Sequence, residues 1–284
     1  MRNATVLPRG RLLSSVLLPL ALCAVDAAAM EVKKYVITDF TAECGGNDVG
    51  AWNNMVDGWY DEMDDEGHSK AGSQVNGNMT LQLFCDPDWN GDCQDDHRTD
   101  DADAFVLGTH GTDSGDHWQC LMRWSWNGHC RLDGGGSSDE MWTGDWDNEF
   151  IILASCNSAD DDNLPGIRNA MFDPIDTPSH GRRAHQWNAF HGVMWISNGR
   201  RGDYDDVADD GHDGSISDAW VYNQIDSKQC PVAYAISSSR NGCLTRLNYE
   251  RYNYVYGDPP GHNWYCWKAF SNCDPDAGED AWNP

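Results

Sequence analysis

Two reactive side chains each follow a short apolar run in this sequence. His110 ends the run that begins at Asp103, and Cys156 ends the run that begins at Glu149. Apolar runs of this length predict strands that are buried on both faces of a sheet. Because open α/β sheets place their chemistry just beyond the carboxyl ends of such strands, we expect an imidazole beside a thiol.

This pair of groups is suited to nucleophilic catalysis. A thiol attacks as its thiolate, and a neighbouring imidazole is the usual means of removing the proton. Gly111 leaves room for a substrate backbone to approach His110, and N–H groups near Cys156 and Gly111 are candidates to bind the oxyanion. The alternative is that His110 is a structural histidine and Cys156 is an inert or disulfide-bonded thiol.

The two blocks resemble those of the caspase-like cysteine peptidases, the group that includes caspases, legumains, gingipains and clostripain. The shared pattern is an apolar strand that ends in His-Gly, followed by one that ends in Ala-Cys or Ser-Cys. Here these are Phe105–Gly111 and Ile151–Cys156. His110 precedes Cys156 by 46 residues, and the corresponding spacing in caspases is about 50 residues.

The resemblance extends over roughly residues 33–238 and looks closest to an uncharacterised secreted bacterial branch of the group, on the segments 187–196 and 217–220. It implies an α/β fold, a three-layer sandwich with a mainly parallel central sheet. It also implies a cysteine endopeptidase that acts on peptide or protein substrates, with His110 as general base and Cys156 as nucleophile. Caspases carry Gln-Ala-Cys-x-Gly, whereas this chain has Leu-Ala-Ser-Cys-Asn-Ser, which is nearer to the bacterial members.

Substrate preference depends on charged residues after the third predicted core strand. In this group a charged pocket holds the residue before the scissile bond. Asp203, Asp205 and Asp206 favour Arg or Lys at that position, because opposite charges select the partner. Arg200 and Arg201, which lie beside them in the sequence, favour Asp instead, and both readings stay open.

The segment Asp86-Pro-Asp-Trp-Asn-Gly-Asp92 fits the first seven positions of a calcium loop. We expect Asp86, Asp88, Asn90 and Asp92 to supply oxygen ligands to a structural Ca²⁺, with no cofactor for catalysis. Position twelve is His97 where an EF-hand has Glu, so a full EF-hand is not predicted. The alternative is an acidic turn in contact with solvent.

Composition limits the partners. The chain has 46 acidic residues against 19 Lys and Arg, which gives a net charge of −27. Such a surface repels nucleic acid and anionic lipid, so neither is expected as a partner. Residues 1–29 read as a secretory signal peptide, because three Arg precede a short apolar core. We therefore expect a secreted protein, extracellular or periplasmic, with no membrane segment after cleavage; the sequence does not indicate an oligomeric state.

Cysteine usage agrees with export. Of eleven cysteines, Cys23 lies in the signal, which leaves ten, and a secreted chain with this many is expected to form disulfides. Proximity in the sequence suggests the pairs Cys85–Cys93, Cys120–Cys130, Cys230–Cys243 and Cys266–Cys273. Cys44 and Cys156 remain, and a bridge between them is the alternative that would remove the nucleophile.

Hydrophobic periodicity predicts the elements that position these groups. We expect helices over 49–65, capped by Asp48, and over 215–225, capped by Ser215. We expect additional strands over 33–40, 79–84, 187–197 and 232–237, and acidic or irregular loops over 86–103, 112–148 and 200–214. The predicted domains are the signal, an α/β domain over 30–239, and a disulfide-pinned, aromatic-rich tail over 240–284 packed on it.

Two other functions compete with a peptidase. A catalytically inactive, calcium-binding extracellular module would use the many aromatic side chains to bind a partner. A carbohydrate-binding protein would stack sugars on the Trp-rich segment. The tryptophans in question are Trp118, Trp124, Trp126, Trp142 and Trp146.

Overall fold

The computed structural model describes residues 29–135, 140–171, 184–270 and residue 273. The predicted signal peptide lies outside the described residues except for Ala29, and so does most of the segment after 270. None of the helices in the described ranges has the length and apolar character to cross a bilayer.

The described residues form ten strands and five α-helices. The strands are β1 (Glu31–Val36), β2 (Ser69–Val75), β3 (Ala104–Gly108), β4 (Gly111–Asp113), β5 (Trp118–Trp126), β6 (His129–Gly134), β7 (Phe150–Ala154), β8 (Gln186–His191), β9 (Cys230–Ser237) and β10 (Trp264–Lys268). The helices are α1 (Ala51–Asp65), α2 (Leu164–Ala170), α3 (Arg201–Asp213), α4 (Ile216–Gln224) and α5 (Arg240–Tyr249).

The central sheet has seven strands in the order β10-β9-β8-β7-β3-β1-β2. Pairing is parallel from β2 to β8, and β9 is antiparallel to both β8 and β10. The two central strands, β3 and β7, are buried at every position, as expected for strands covered on both faces. The prediction of an α/β fold with a mainly parallel sheet is confirmed.

Helix α1 follows the predicted apolar stripe. Trp52, Met55, Val56, Trp59, Tyr60 and Met63 are all buried. Its predicted cap is wrong, because the helix begins after Gly50 without a side-chain cap. The carboxylate of Asp48 instead accepts a hydrogen bond from the backbone N–H of Phe40. The second predicted cap is confirmed, since Ser215 accepts the N–H of Asp218 at the start of α4.

Three predicted segments differ from the structure. Residues 79–84 form no strand and contain a 3₁₀ turn at Leu81–Leu83; the second strand is β2, whose polar sequence gives little apolar signal. The acidic segment 200–214 is mostly helix α3, which buries Tyr204, Val207, Ala208 and Gly211 at helical spacing. The segment 112–148 contains a second sheet in the order β4-β5-β6.

The segment after 239 contributes to the central sheet. Strand β10 forms one edge of the sheet by pairing with β9. A disulfide between Cys243 and Cys266 joins α5 to β10. This disulfide joins two elements of the tail to each other, and the pairing of β10 with β9 makes the tail part of the central sheet.

Candidate active site

The neighbouring strands β3 and β7 bring His110 and Cys156 to the same edge of the sheet. Their register pairs Gly108 with Ala154, so each reactive residue lies two positions beyond the last matched pair. The backbone N–H of Thr109 donates to the carbonyl of Ala154 at 3.3 Å, which continues the pairing past the strand ends. The fold thus brings the two strand ends together, and the approach of the imidazole to the thiol itself stays a prediction.

Gly111 is packed tightly against the Cys156 strand end. A Cβ at this position would overlap the carbonyl oxygen of Cys156 and the hydroxyl of Ser155, and would lie 2.6 Å from the indole nitrogen of Trp118. The space beside Gly111 is filled by the protein's own atoms. The glycine therefore lets the two strand ends meet, a reason different from the substrate access expected from the sequence.

The His110 ring is held in one orientation. Its Nε2 lies 2.8 Å from the carbonyl oxygen of Asn47, and the rings of Phe40 and Trp52 lie 4.9 and 4.8 Å from it. Because a carbonyl only accepts, Nε2 must carry the proton, and Nδ1 is the basic nitrogen of the neutral ring. This tautomer is the one that a general base acting through Nδ1 requires.

The Asn47 loop is fixed from both sides. A disulfide joins Cys44 to Cys130, and the backbone N–H of Val49 donates to the carbonyl of Thr38 at 2.9 Å. This loop leads directly into α1, which carries Trp52. No motif in the sequence marks Asn47, because it acts through its backbone carbonyl and any residue type has one.

Cys156 is a half-buried thiol that forms no disulfide. Burial raises its pKa, and hydrogen bonds from the backbone N–H groups of Met194 and of Cys156 itself oppose that rise. The group therefore rests as a thiol at neutral pH and needs a base to become a nucleophile. The next residue, Asn157, has φ of 55°, so the chain turns sharply just after the thiol, in a region that Asn tolerates.

The disulfide pattern corrects the pairing expected from the sequence. Cys85–Cys93 is confirmed. The predicted pairs Cys120–Cys130, Cys230–Cys243 and Cys266–Cys273 are wrong, because Cys130 bonds Cys44 and Cys243 bonds Cys266. Cys120 is a buried thiol, and the thiols of Cys273 and Cys230 hydrogen bond each other. The alternative Cys44–Cys156 bridge is excluded, and three disulfides are consistent with an oxidising compartment.

An apolar segment lies beside the thiol. The carbonyl of Gly192 accepts the N–H of Asn157 at 2.6 Å, and the Met194 N–H contacts the Cys156 sulfur. Val193 and Trp195 in this segment are 66% and 45% exposed. A cavity of about 470 Å³ adjoins Gly192 and Val193 and is also lined by Asp226 and Lys228. Cys156 does not line this cavity, so the link between the two runs through the segment 192–194.

The predicted substrate residues Asp203, Asp205 and Asp206 lie on α3. Asp203 is 3.0 Å from the Arg200 guanidinium. Burial, followed by the charges of neighbouring aspartates that include Asp205 and Asp203, raises the pKa of Asp206. Arg201 pairs with Asp61 at 2.7 Å. Both arginines therefore already have carboxylate partners within the chain.

The predicted calcium loop is divided between the interior and the surface. Asp86 is buried, whereas Asp88 and Asp92 are exposed. The carboxylate of Asp86 accepts the N–H of Asp88, and the side-chain oxygen of Asn90 accepts the N–H of Asp92 at 3.1 Å. These are turn-forming contacts, and the loop sequence is as well suited to a turn as to a cation.

Three other groups of acidic and histidine side chains have ligand atoms within 4.8 Å of one another in the described residues. They are Asp160 with Asp161 and His191, Glu62 with Glu66 and Asp209, and Asp103 with Asp147 and Glu149. In the first group, His191 Nε2 lies 2.9 Å from the Asp161 carboxylate, a contact that a hydrogen bond explains without a metal ion.

Comparison with known proteins adds no family assignment. No protein-family model matches the chain, and no curated protein matches it significantly.

Proposed function

We propose that this chain is a secreted cysteine endopeptidase with a caspase-like fold, in which His110 is the general base and Cys156 the nucleophile. The observation that carries the proposal is that His110 and Cys156 follow the adjacent ends of two parallel strands, with His110 held in the tautomer that leaves Nδ1 basic. A free thiol at Cys156 is a further support.

The proposed three-layer arrangement is supported by contacts on strand β8. Phe190 contacts Trp220 of α4 at 5.1 Å between ring centroids, and Trp187 contacts Trp118 of β5 at 6.2 Å. Residues three apart on a strand point to opposite faces. Helix α4 and the small sheet would therefore cover opposite faces of the central sheet.

The proposed reaction is acyl transfer to sulfur followed by hydrolysis. His110 Nδ1 takes the Cys156 proton, and the thiolate attacks the carbonyl carbon of the scissile bond. The imidazolium then protonates the departing amine as the C–N bond breaks, which leaves a thioester on Cys156. Water, deprotonated by His110, attacks the thioester and releases the acid and the thiol.

The test uses purified chain lacking residues 1–29 and fluorogenic peptides with Arg, Lys or Asp before the reporter. We expect Cys156→Ala and His110→Ala to lower kcat/KM by more than about 10³-fold, because each removes a group of one catalytic unit. The control is His129→Ala, which alters an exposed histidine and is expected to keep full activity. Each variant is checked by circular dichroism and thermal unfolding.

Cleavage by either folded variant at the wild-type rate would refute the mechanism. The peptide panel also separates the two readings of specificity. Preference for Arg or Lys would support recognition by Asp203, Asp205 and Asp206, whereas preference for Asp would favour Arg200 and Arg201.

A catalytically inactive, calcium-binding extracellular module is the second candidate. The raised pKa of Cys156 favours it, because a thiol that keeps its proton is a poor nucleophile without an effective base. A wild-type protein that cleaves none of the peptides, with or without calcium, would support this candidate over the peptidase.

A further inference from the structure

Four aspartates from two separate segments meet below the Cys85–Cys93 disulfide. Asp86, Asp95 and Asp100 are 2%, 0% and 0% exposed, and Asp145 is partly buried. Ionised carboxylates are almost never fully buried unless they are paired or bind a metal. The cluster therefore requires an explanation that a solvated acidic turn does not provide.

Backbone contacts bring the four residues together. The N–H of Asp95 donates to the carbonyl of Cys85, and the N–H of Asp100 donates to the carbonyl of Asp95 at 2.9 Å. The carboxylate of Asp100 then accepts the N–H groups of Gly144 and Trp146 at 2.7 and 2.8 Å. These two bonds wrap a turn around Asp100 and place Asp145, the residue between them, against it.

Two carboxylate oxygens of the cluster are buried without a hydrogen-bond partner among the described residues. They are Oδ2 of Asp95 and Oδ1 of Asp145. The other Asp95 oxygen accepts the N–H of Asp96 at 3.0 Å, and the Asp145 carboxyl also contacts that of Asp100. A buried acceptor with no donor costs about 1–3 kcal/mol, and more when it is charged.

The charged groups acting on this cluster are mainly its own members. Burial, followed by the charges of Asp100, Asp86 and Asp96, raises the pKa of Asp95 well above its ordinary value. Burial, followed by Asp100, Asp86 and Asp95, raises the pKa of Asp145 to about 12. The four carboxyls can be accommodated by protons or by a cation. In the structure they do not present three ligand atoms within 4.8 Å of one another, so a divalent cation would reach the two unpartnered oxygens after their side chains rotate.

We propose that Asp86, Asp95, Asp100 and Asp145 bind one calcium ion, with the unpartnered oxygens of Asp95 and Asp145 as inner ligands. All the donors are oxygens, and the two nearby cysteines are joined in a disulfide, so the site suits a hard cation better than zinc or copper. Several converging carboxylates suit calcium, which takes six to eight oxygens, better than magnesium, which keeps most of its waters.

This ligand set differs from the one that the loop motif predicts. Only Asp86 belongs to both. Asp88 and Asp92 are exposed and Asn90 caps a turn, whereas Asp95 and Asp100 are buried, Asp145 is partly buried, and all three lie outside the seven-residue motif. The two sets can therefore be separated by substitution.

The experiment measures binding of Ca²⁺ and Mg²⁺ by titration calorimetry and thermal unfolding, on chelator-treated protein lacking residues 1–29. We expect Ca²⁺ to bind one site and to raise the unfolding temperature by mass action. Asp95→Asn and Asp145→Asn should weaken Ca²⁺ binding at least about 100-fold, since each removes a direct ligand. Asp88→Asn and the exposed control Asp65→Asn should bind Ca²⁺ as the wild type does.

Asn is nearly isosteric with Asp and removes a repelling charge, so metal-free Asp95→Asn should unfold at a temperature at or above that of the metal-free wild type. This outcome separates a lost ligand from a misfolded variant. Absence of Ca²⁺ binding by the wild type, an unchanged Ca²⁺ affinity in Asp95→Asn, or loss of binding in Asp88→Asn alone would each overturn the proposal. Binding of Mg²⁺ without Ca²⁺ would overturn the assignment to calcium.

Discussion

The strand-end region around His110 and Cys156 differs in kind from the four-aspartate cluster. At the strand ends, the two reactive groups have partners within the chain: the imidazole N–H has a carbonyl acceptor, and the thiol receives backbone N–H groups. The neighbouring Ser155 hydroxyl and Trp118 indole N–H are buried without a hydrogen-bond partner among the described residues. In the cluster, like charges face one another and two buried oxygens lack donors. In the proposed reaction the first region orients the base, and in the proposed calcium site the ion would supply a counter-charge to the second region.

The difference shows which evidence each kind of site provides. Orientation can be read from contacts that exist, such as the bond from His110 to Asn47. A cation site is inferred from buried carboxylate oxygens that have no hydrogen-bond donor, as at Asp95 and Asp145. The following predictions test whether the two regions behave as separately as this contrast requires.

Gly111→Ala tests the strand-end region most severely. The added methyl group would overlap the Cys156 carbonyl and Ser155, and backbone atoms cannot move aside cheaply in a packed core. We expect a loss of about 3 kcal/mol or more in the free energy of unfolding, measured by urea denaturation. The control is Gly202→Ala, which has open space at its Cβ and should change stability little. Gly115→Ala is not used because the φ of Gly115 is positive. Equal stability of the two variants would contradict the close packing described for Gly111.

A pH titration of stability reports on a third region, around His68 just before β2. His68 is buried, its Nδ1 accepts the N–H of Met30 at 3.1 Å, and its Nε2 lies 3.2 Å from Nδ1 of His212, which also faces Glu66. Burial, followed by His212, lowers the pKa of His68 to about 4. The unfolded chain therefore binds more protons below an ordinary histidine pKa of about 6.5.

Stability contributed by neutral His68 should be fully present above about pH 6.5 and lost as the pH falls towards 4. The expected loss is on the order of 2–3 kcal/mol, measured as the difference between wild type and His68→Gln in urea unfolding at pH 7 and pH 4.5. The same pH dependence in both proteins would show that His68 is not the group responsible.

The smallest effect concerns the reactivity of the thiol. At pH 7, His110→Ala should slow alkylation of Cys156 by iodoacetamide about tenfold, because the thiolate population then depends on the unassisted, raised pKa. Asp95→Asn should leave that rate within twofold of the wild type. The modified residue is identified by peptide mass mapping. If alkylation slowed to a comparable extent in both variants, the two regions would be coupled, and the proposal that they act separately would be wrong.

The sequence predicts the central strands and α1 well because their signals are local. The runs before His110 and Cys156 are continuous and apolar, and α1 has a clean helical stripe. The sequence does not predict helix α3, because its many aspartates indicate an exposed loop. Its buried face consists of only four residues, Tyr204, Val207, Ala208 and Gly211. Strand β2 is polar and lies at the sheet edge. Because none of its side chains is fully buried, its sequence lacks the apolar pattern from which a strand is predicted.

The parts of the two sites that the sequence misses depend on the path of the chain in space. Asn47 contributes a backbone carbonyl, so its side chain gives no signal. Asp95 and Asp145 lie 50 positions apart in the sequence, and only the turn wrapped around Asp100 makes them neighbours. Three of the four predicted cysteine pairs are wrong for the same reason. The Cys44–Cys130 bridge spans 86 residues, whereas the prediction joins cysteines that are close in the sequence.

The Cys44–Cys130 bridge has a consequence for when the proposed enzyme can work. It fastens the loop whose Asn47 carbonyl sets the His110 tautomer. Before that crosslink forms, as in a reducing cytosol, nothing covalent holds this loop to β6. Oxidation would then act as a maturation step. A newly made chain would align its base only after export, and the proteins of the host cytosol would not meet an active peptidase.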